Sequence, residues 1–261
     1  MLSIERLGDV TRLRMHTLRS RALGFDASAY LMRGILVDTG FPAAGGDLAS
    51  WLDAERLRGV IVTHHHEDHA GNIELVASRG LPVVVSEATL RAVRAPAPIR
   101  MFRRICWGSP APLASPVTPF DTDGLALLPL PGHCADHAGV WDAATRTLFA
   151  ADLFLGVKVR IAQDTEDIPA LLRSLRAVIA LEPRRVFCTH RGLVRDPVNT
   201  LRKKADWLQG IIEAARHLRA KGVPTSAIAR QLLGREGAIK WFTQGELSKE
   251  NLVRSIIGSA Q

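Results

Sequence analysis

Six consecutive residues, His64-His65-His66-Glu67-Asp68-His69, follow directly on the apolar run Val60-Ile61-Val62-Thr63. A run this short and β-branched predicts a buried strand. At the end of a strand the chain turns, so adjacent and alternate side chains can converge on one point outside the sheet. Imidazoles and carboxylates at this density are costly beside a core unless something binds them. A divalent cation does so well, because neutral imidazole and carboxylate suit zinc. A single histidine is ordinarily structural. This cluster instead predicts a metal site centred on His64, His66, Asp68 and His69.

The strand has neighbours on both sides. Ala29–Met32 and Ile35–Val37 flank Arg33-Gly34 and predict a hairpin that closes before Asp38. Pro82–Val85, Leu125–Leu130, Gly139–Trp141, Thr147–Ala150 and Arg185–Cys188 read as further strands. Leu48–Leu57, Asn72–Arg79 and Ile168–Leu181 have helical spacing between them, which makes the class α/β. Residues 95–119 are rich in proline and predict a long loop, a length that is often functional. From Asn199 the character changes: Leu201, Ala205, Leu208, Ile211, Ile212, Ala215 and Leu218 recur at helical spacing up to Gly222. Helices over Ser226–Leu233 and Ser248–Ile257 follow. The expected organisation is an α/β domain over 1–198 and a basic helical extension over 199–261, packed on it.

Charge is unevenly placed. Residues 199–261 hold eleven Lys/Arg against five Asp/Glu, and Arg91–Arg104 has five Arg and no acid. Such charge could draw in an anionic substrate, nucleic acid or a membrane surface, or simply be a solvated face. No run approaches the ~18 apolar residues of a membrane span. The start, Met1-Leu2-Ser3-Ile4-Glu5-Arg6, carries charge where an export signal would be apolar, so a cytoplasmic location is expected. Cys106, Cys134 and Cys188 are odd in number and far apart, which argues against a disulfide framework. Cys134 and Cys188 stand close to His133 and His190, and although thiolate is a good zinc ligand, neither cysteine is expected to bind metal.

His-x-His-x-Asp-His after a buried strand resembles the signature of the metallo-β-lactamase superfamily. Its other motifs stand in order: Leu36-Val37-Asp38-Thr39-Gly40, Pro131-Gly132-His133, Ala151-Asp152-Leu153 and Cys188-Thr189-His190-Arg191-Gly192. The resemblance covers about residues 28–192. It implies a four-layer αββα sandwich, with two metal ions, zinc in the first place and iron or manganese as alternatives, at one edge of the sheets. It assigns His64, His66 and His133 to one ion, Asp68, His69 and His190 to the other, and Asp152 to the bridge between them. A hydroxide bridging the ions would then attack the substrate, with Asp68 and Asp152 carrying the catalytic roles. His65 is expected to point away, His137 to make an outer or substrate contact, and Asp38 to orient a ligand histidine or brace its turn. His16 and His217 have no motif around them. Lys158 and Arg160 could face the substrate or lie on a solvated strand end.

Absences narrow the substrate. His66 stands where the similar oxygen- and nitric-oxide-reducing diiron proteins have glutamate, which disfavours redox chemistry. Thr63–Asn72 resembles the glyoxalase II version of the motif, yet the chain after His190 lacks that group's thioester-binding pattern. Homoserine-lactone hydrolases carry a tyrosine three residues past the bridging aspartate; here that residue is Leu155, and the one tyrosine is Tyr30. A secreted β-lactamase should carry an export signal. What remains is a hydrolase of a small-molecule ester, thioester or lactone, with an anionic substrate such as a coenzyme A thioester suiting Arg91–Arg104. The alternative is phosphodiester cleavage, as in similar RNA-processing nucleases, whose large insertions do not fit this length. Residues 218–233 also resemble the start of a helix-turn-helix, so the tail could bind nucleic acid, shape the pocket or form a homodimer.

Overall fold

Alternation along the strands decides which side chains meet in the core. In the computed structural model, which describes residues 1–258, Ile61 points between two sheets, while Val60 and Val62 point outward beneath helices. The same split places Phe149 and Phe187 inside and Leu148, Ala150, Val186 and Cys188 outside, as the two-residue period of a strand requires. Burying one such side chain stabilises the fold by about 1.5–3 kcal/mol.

In chain order the elements of the first half are β1 (Leu2–Leu7), β2 (Val10–Met15), α1 (Leu18–Leu23), β3 (Ala27–Met32), β4 (Ile35–Val37), α2 (Gly45–Ala54), β5 (Gly59–Val62), α3 (Ile73–Ala77), β6 (Val83–Val85), α4 (Glu87–Arg94) and α5 (Met101–Trp107). The second half contains β7 (Leu125–Pro129), β8 (Ala138–Asp142), β9 (Thr147–Ala151), β10 (Ala162–Gln163), α6 (Ile168–Ala180), β11 (Arg185–Cys188) and β12 (Gly192–Leu193). The chain finishes with α7 (Pro197–Ala220), α8 (Thr225–Leu233), α9 (Ala238–Phe242), β13 (Leu247–Ser248) and α10 (Lys249–Gly258). The first sheet has strand order β1-β2-β3-β4-β5-β6 and the second β12-β11-β9-β8-β7. Tyr30, Met32, Ile35 and Ile61 of the first sheet meet Leu125, Val140, Phe149 and Phe187 of the second. Helices α2 and α3 cover the outer face of the first sheet, and α6, α7, α8 and α10 that of the second. The molecule is an αββα sandwich with carboxyl-terminal helices. No described helix is long and apolar enough to cross a membrane.

Two regions differ from expectation. The β1–β2 hairpin pairs through Leu2↔Met15 to Leu7↔Val10, yet β1 is largely exposed. An edge strand with a solvated face shows no apolar run, so its pattern is faint. The predicted 95–119 loop contains α5, whose Phe102, Cys106 and Trp107 turn inward. The prolines lie on either side of this helix rather than in it. In the tail, α8 buries Ile228, Ala229 and Leu233, and the following α9 has five residues, short for a helix that reads a DNA groove.

Candidate metal centre

Asp38 sets the geometry of the histidine loop. It ends β4 in the left-handed region at φ 65°, a conformation that aspartate tolerates better than most residues. Its carboxylate accepts from the Thr63 amide at 2.8 Å and the Thr63 hydroxyl at 2.9 Å, and lies 2.7 Å from His69 Nδ1. An ionised carboxylate only accepts, so His69 donates from Nδ1 and aims Nε2 away from Asp38. The Thr63 hydroxyl has given its one proton to Asp38 and therefore accepts from His64 Nδ1 at 3.1 Å. His190 Nδ1 donates to the Asp26 carbonyl at 2.7 Å, and His133 Nδ1 lies 3.2 Å from Glu166 Oε1. Each of these four rings thus has its outer nitrogen held, and each Nε2 faces one common space.

Two sets of donors converge there. His64, His66, His133 and Asp152 bring one donor atom each to within 4.8 Å of one another, and Asp68, His69, Asp152 and His190 do the same. His66 Nδ1 is 3.1 Å from His64 Nε2 and 3.0 Å from His133 Nε2. Asp152 belongs to both sets: Oδ2 lies 3.1 Å from His133 Nε2, whereas Oδ1 lies 3.2 Å from His190 Nε2 and 3.4 Å from His69 Nε2. Its aim comes from the backbone. The register of β9 on β11 skips Ala150, and Ala151 stands at φ 43°, so the strand end bulges and turns the next side chain inward. Gly132, at φ 138°, precedes His133 because a Cβ there would fall 2.4 Å from Leu171 Cα on α6.

Electrostatics call for a cation at this point. Burial and neighbouring imidazoles hold His64 and His66 well below the usual histidine range. Burial also opposes charge on His69 and His190, but nearby carboxylates, Asp152 above all, outweigh it and raise both; His133 is pushed up to about 9 in the same way. His69 Nε2 and Asp152 Oδ1 are buried and make no hydrogen bond. Orphaned donor atoms beside partnered ones, all imidazole or carboxylate, fit divalent metal.

The sequence agrees with this geometry over most of its length. Residues 23–190 match the family model described as the metallo-beta-lactamase superfamily. The chain belongs to the metallo-beta-lactamase superfamily. It is 31% identical over 222 residues to a hydroxyacylglutathione hydrolase of Halorhodospira halophila, covering 79% of each protein. A beta-lactamase-like protein 2 homolog of Drosophila melanogaster is 27% identical over 219 residues, covering 74% of this chain and 70% of the relative. Among solved structures, a metallo-beta-lactamase family protein from Thermus thermophilus aligns with TM-score 0.69 at 21% identity, over 97% of this chain and 94% of that one. Like its superfamily, the chain is a metal-binding hydrolase.

The neighbouring histidines and thiols have other partners. His65 turns out to Asp136, through its amide at 3.0 Å and its Nδ1 at 2.8 Å. His137 donates from Nδ1 to the Leu130 carbonyl and accepts at Nε2 from the Asp152 amide, so both its nitrogens are spent on backbone. His16 lies between β2 and α1, and His217 lies on α7. Tyr30 donates to the Cys188 carbonyl at 2.6 Å in the core, which removes it from any substrate. The Cys188 thiol donates to the Phe154 carbonyl, and burial pushes both the Cys134 and Cys188 thiols up, away from the thiolate that zinc would need. Cys134→Ser and Cys188→Ser are therefore expected to keep their full metal content by elemental analysis. Loss of about one equivalent from either would make that cysteine a ligand.

Two partners of the site, Glu166 and Lys204, escaped the sequence reading. Glu166, in the turn between β10 and α6, holds His133. Lys204 is buried and donates to the Leu153 carbonyl at 2.7 Å, bracing the residue after Asp152. Its signal was present, since it lies on the apolar stripe of Leu201, Ala205 and Leu208 where a lysine is out of place. Arg103 lies beside the centre, but its charge is committed to Glu67 and Glu246. Arg91 pairs with Glu87, and Arg100 with Asp164 and Glu246. Arg91, Arg100 and Arg103 are thus neutralised by these acids and do not supply the free positive charge expected of Arg91–Arg104. A cavity of about 530 Å³ opens on His66, Asp68, His133, Asp152 and His190, within the range of small-molecule sites.

Proposed function

We propose that the protein hydrolyses a small-molecule carboxylic ester, thioester or lactone, with two divalent ions, zinc in the first place, held between β5 and β9. The observation that carries this reading is Asp152, which turns one oxygen to His133 and the other to His69 and His190. His64, His66 and His133 would hold one ion, Asp68, His69 and His190 the other, with Asp152 shared. Ions in these positions would acidify water toward neutral pH and polarise a carbonyl oxygen. The chain supplies the rest. Asp38, Thr63, Glu166 and the Asp26 carbonyl fix ring orientations in advance, so little reorganisation is needed. The cavity walls exclude bulk water and orient the acyl group. The likeness to a hydrolase named for a hydroxyacyl thioester of glutathione supports thioester among these substrates.

We place residues 199–261 in a helical extension of a hydrolase domain over 1–198. Its Leu247 lines the cavity and its Lys204 braces the Asp152 turn, which supports a role in shaping the pocket.

A panel of thioesters, esters, lactones, β-lactams and phosphodiesters tests the reading. Thioester or ester cleavage is expected, lost on chelation and restored by zinc. Cleavage of phosphodiesters alone, or hydrolysis indifferent to chelation, would overturn it.

A further inference from the structure

The cavity beside the metal centre has two kinds of wall. Phe25, Phe102, Trp107, Leu155, Val159 and Ile161 make an apolar interior. Its aromatic side is braced: Trp107 Nε1 donates to the Phe25 carbonyl at 2.9 Å, and the two rings meet edge to face at 5.4 Å. Lys158, Arg160 and Arg191 also line the cavity, and all three are exposed. None has an acid partner among the described residues; the Arg191 guanidinium donates to the Leu155 carbonyl, at 3.1 Å. The acids on the cavity wall, Asp68, Asp152 and Glu166, all face histidines of the centre. The apolar pocket therefore carries unpaired positive charge on its exposed part and carboxylates only at its reactive end.

We propose, resting on the hydrolase reading above, that the substrate is an acyl thioester with an apolar acyl chain and a phosphate-bearing thiol. The acyl chain lies against Trp107, Phe102 and Val159, and the phosphates lie in solvent between Lys158, Arg160 and Arg191. Apolar burial gives affinity that grows with each methylene. Exposed cations attract the anionic thiol and add orientation. In the reaction, water adds its oxygen to the carbonyl carbon, the carbon–sulfur bond breaks, and the products are the carboxylic acid and the thiol, which takes the remaining proton. A short polar acyl group, such as a hydroxyacyl, would leave the aromatic wall unfilled.

Binding can be measured apart from hydrolysis with thioethers, which lack the thioester carbonyl and so have no acyl carbon–sulfur bond to hydrolyse. S-octyl-coenzyme A, S-methyl-coenzyme A and the neutral S-octyl-N-acetylcysteamine are titrated calorimetrically into the zinc-loaded protein. The octyl coenzyme A compound is expected to bind at least about tenfold more tightly than either of the others, since each buried methylene is worth about fourfold. Lys158→Glu with Arg160→Glu should weaken it about tenfold while sparing the neutral octyl compound, and the loss should shrink in high salt. Val159→Trp, which fills the pocket, should weaken both octyl compounds and spare S-methyl-coenzyme A. Equal affinity for octyl and methyl compounds, or charge reversal without effect, would overturn the proposal. If octyl coenzyme A binds as stated but octanoyl-coenzyme A is not cleaved, the thioester reading of the reaction fails and the binding site stands.

Discussion

Asp152→Ala is expected to empty the centre and abolish hydrolysis. The carboxylate is the one group within reach of both donor sets, with its oxygens 3.1 Å from His133 Nε2 and 3.2 Å from His190 Nε2. Removing it also leaves His69, His133 and His190 facing one another without the negative charge that now outweighs their burial. Loss of an outer hydrogen-bond partner of a ligand costs about 10–100-fold in affinity or activity, so loss of the shared ligand should exceed about 100-fold. Metal content should fall from about two ions per chain to one or fewer, because seven donor residues exceed what one tetrahedral ion uses. His190→Ala should chiefly empty the set containing Asp68 and His69, and leave the His64–His66–His133 set loaded. Asp152→Ala protein that keeps two ions and its activity would end the shared-ligand assignment. Wild-type protein holding at most one ion after zinc reconstitution would end the two-ion reading.

Arg103→Ala is expected to cost more stability than any surface substitution in the molecule. Arg103 Nη1 donates to both Glu67 oxygens at 3.0 Å, Nη2 donates to Gln163 Oε1 at 2.9 Å, and Nε pairs with Glu246. All three charged side chains are buried, Glu67 being 3% exposed. Burial opposes ionisation of Glu67 and raises its carboxyl, with Arg103 pulling the other way. Removing one member of a buried ion set strands the others and costs about 3–5 kcal/mol, a large part of the ~5–15 kcal/mol that holds a domain together. Glu67 lies between His66 and Asp68, so the loss should reach the centre as weaker metal retention. The triple change Arg103→Met, Glu67→Gln, Glu246→Gln strands no charge and should recover much of the stability in urea denaturation. Arg103→Ala within about 1 kcal/mol of wild type would show that the network carries little stability, since even exposed pairs contribute up to that much.

The same network shows where sequence reasoning stops. Five arginines without an acid over Arg91–Arg104 read as free positive charge. The acids that neutralise Arg103 lie far along the chain, Glu67 at a separation of 36 residues and Glu246 at 143. Local composition holds no record of such pairs. The cations left unpaired at the cavity are instead Lys158 and Arg160, which the sequence offered as possible substrate contacts, and Arg191, which it did not.

The superfamily, the αββα class and the seven candidate metal donors were legible in the chain itself. Imidazole and carboxylate groups have few other reasons to crowd at strand ends, and buried strands such as Val60–Val62 must be apolar on both faces. Helix α6 was readable for a similar reason, since an amphipathic stripe over thirteen residues has one simple explanation. Only the folded chain decided the rest. The β1–β2 hairpin lies at a solvated edge, where pairing is by backbone and leaves little trace in side-chain type. The aim of each ring depends on partners brought in from elsewhere: Asp38 for His69, Glu166 for His133, and the Asp26 carbonyl for His190. Residue chemistry is local and can be read in order along the chain, whereas the pairing of charges, the tautomer of a ring and the shape of a pocket are contacts between distant segments that exist only once the two sheets have closed on each other.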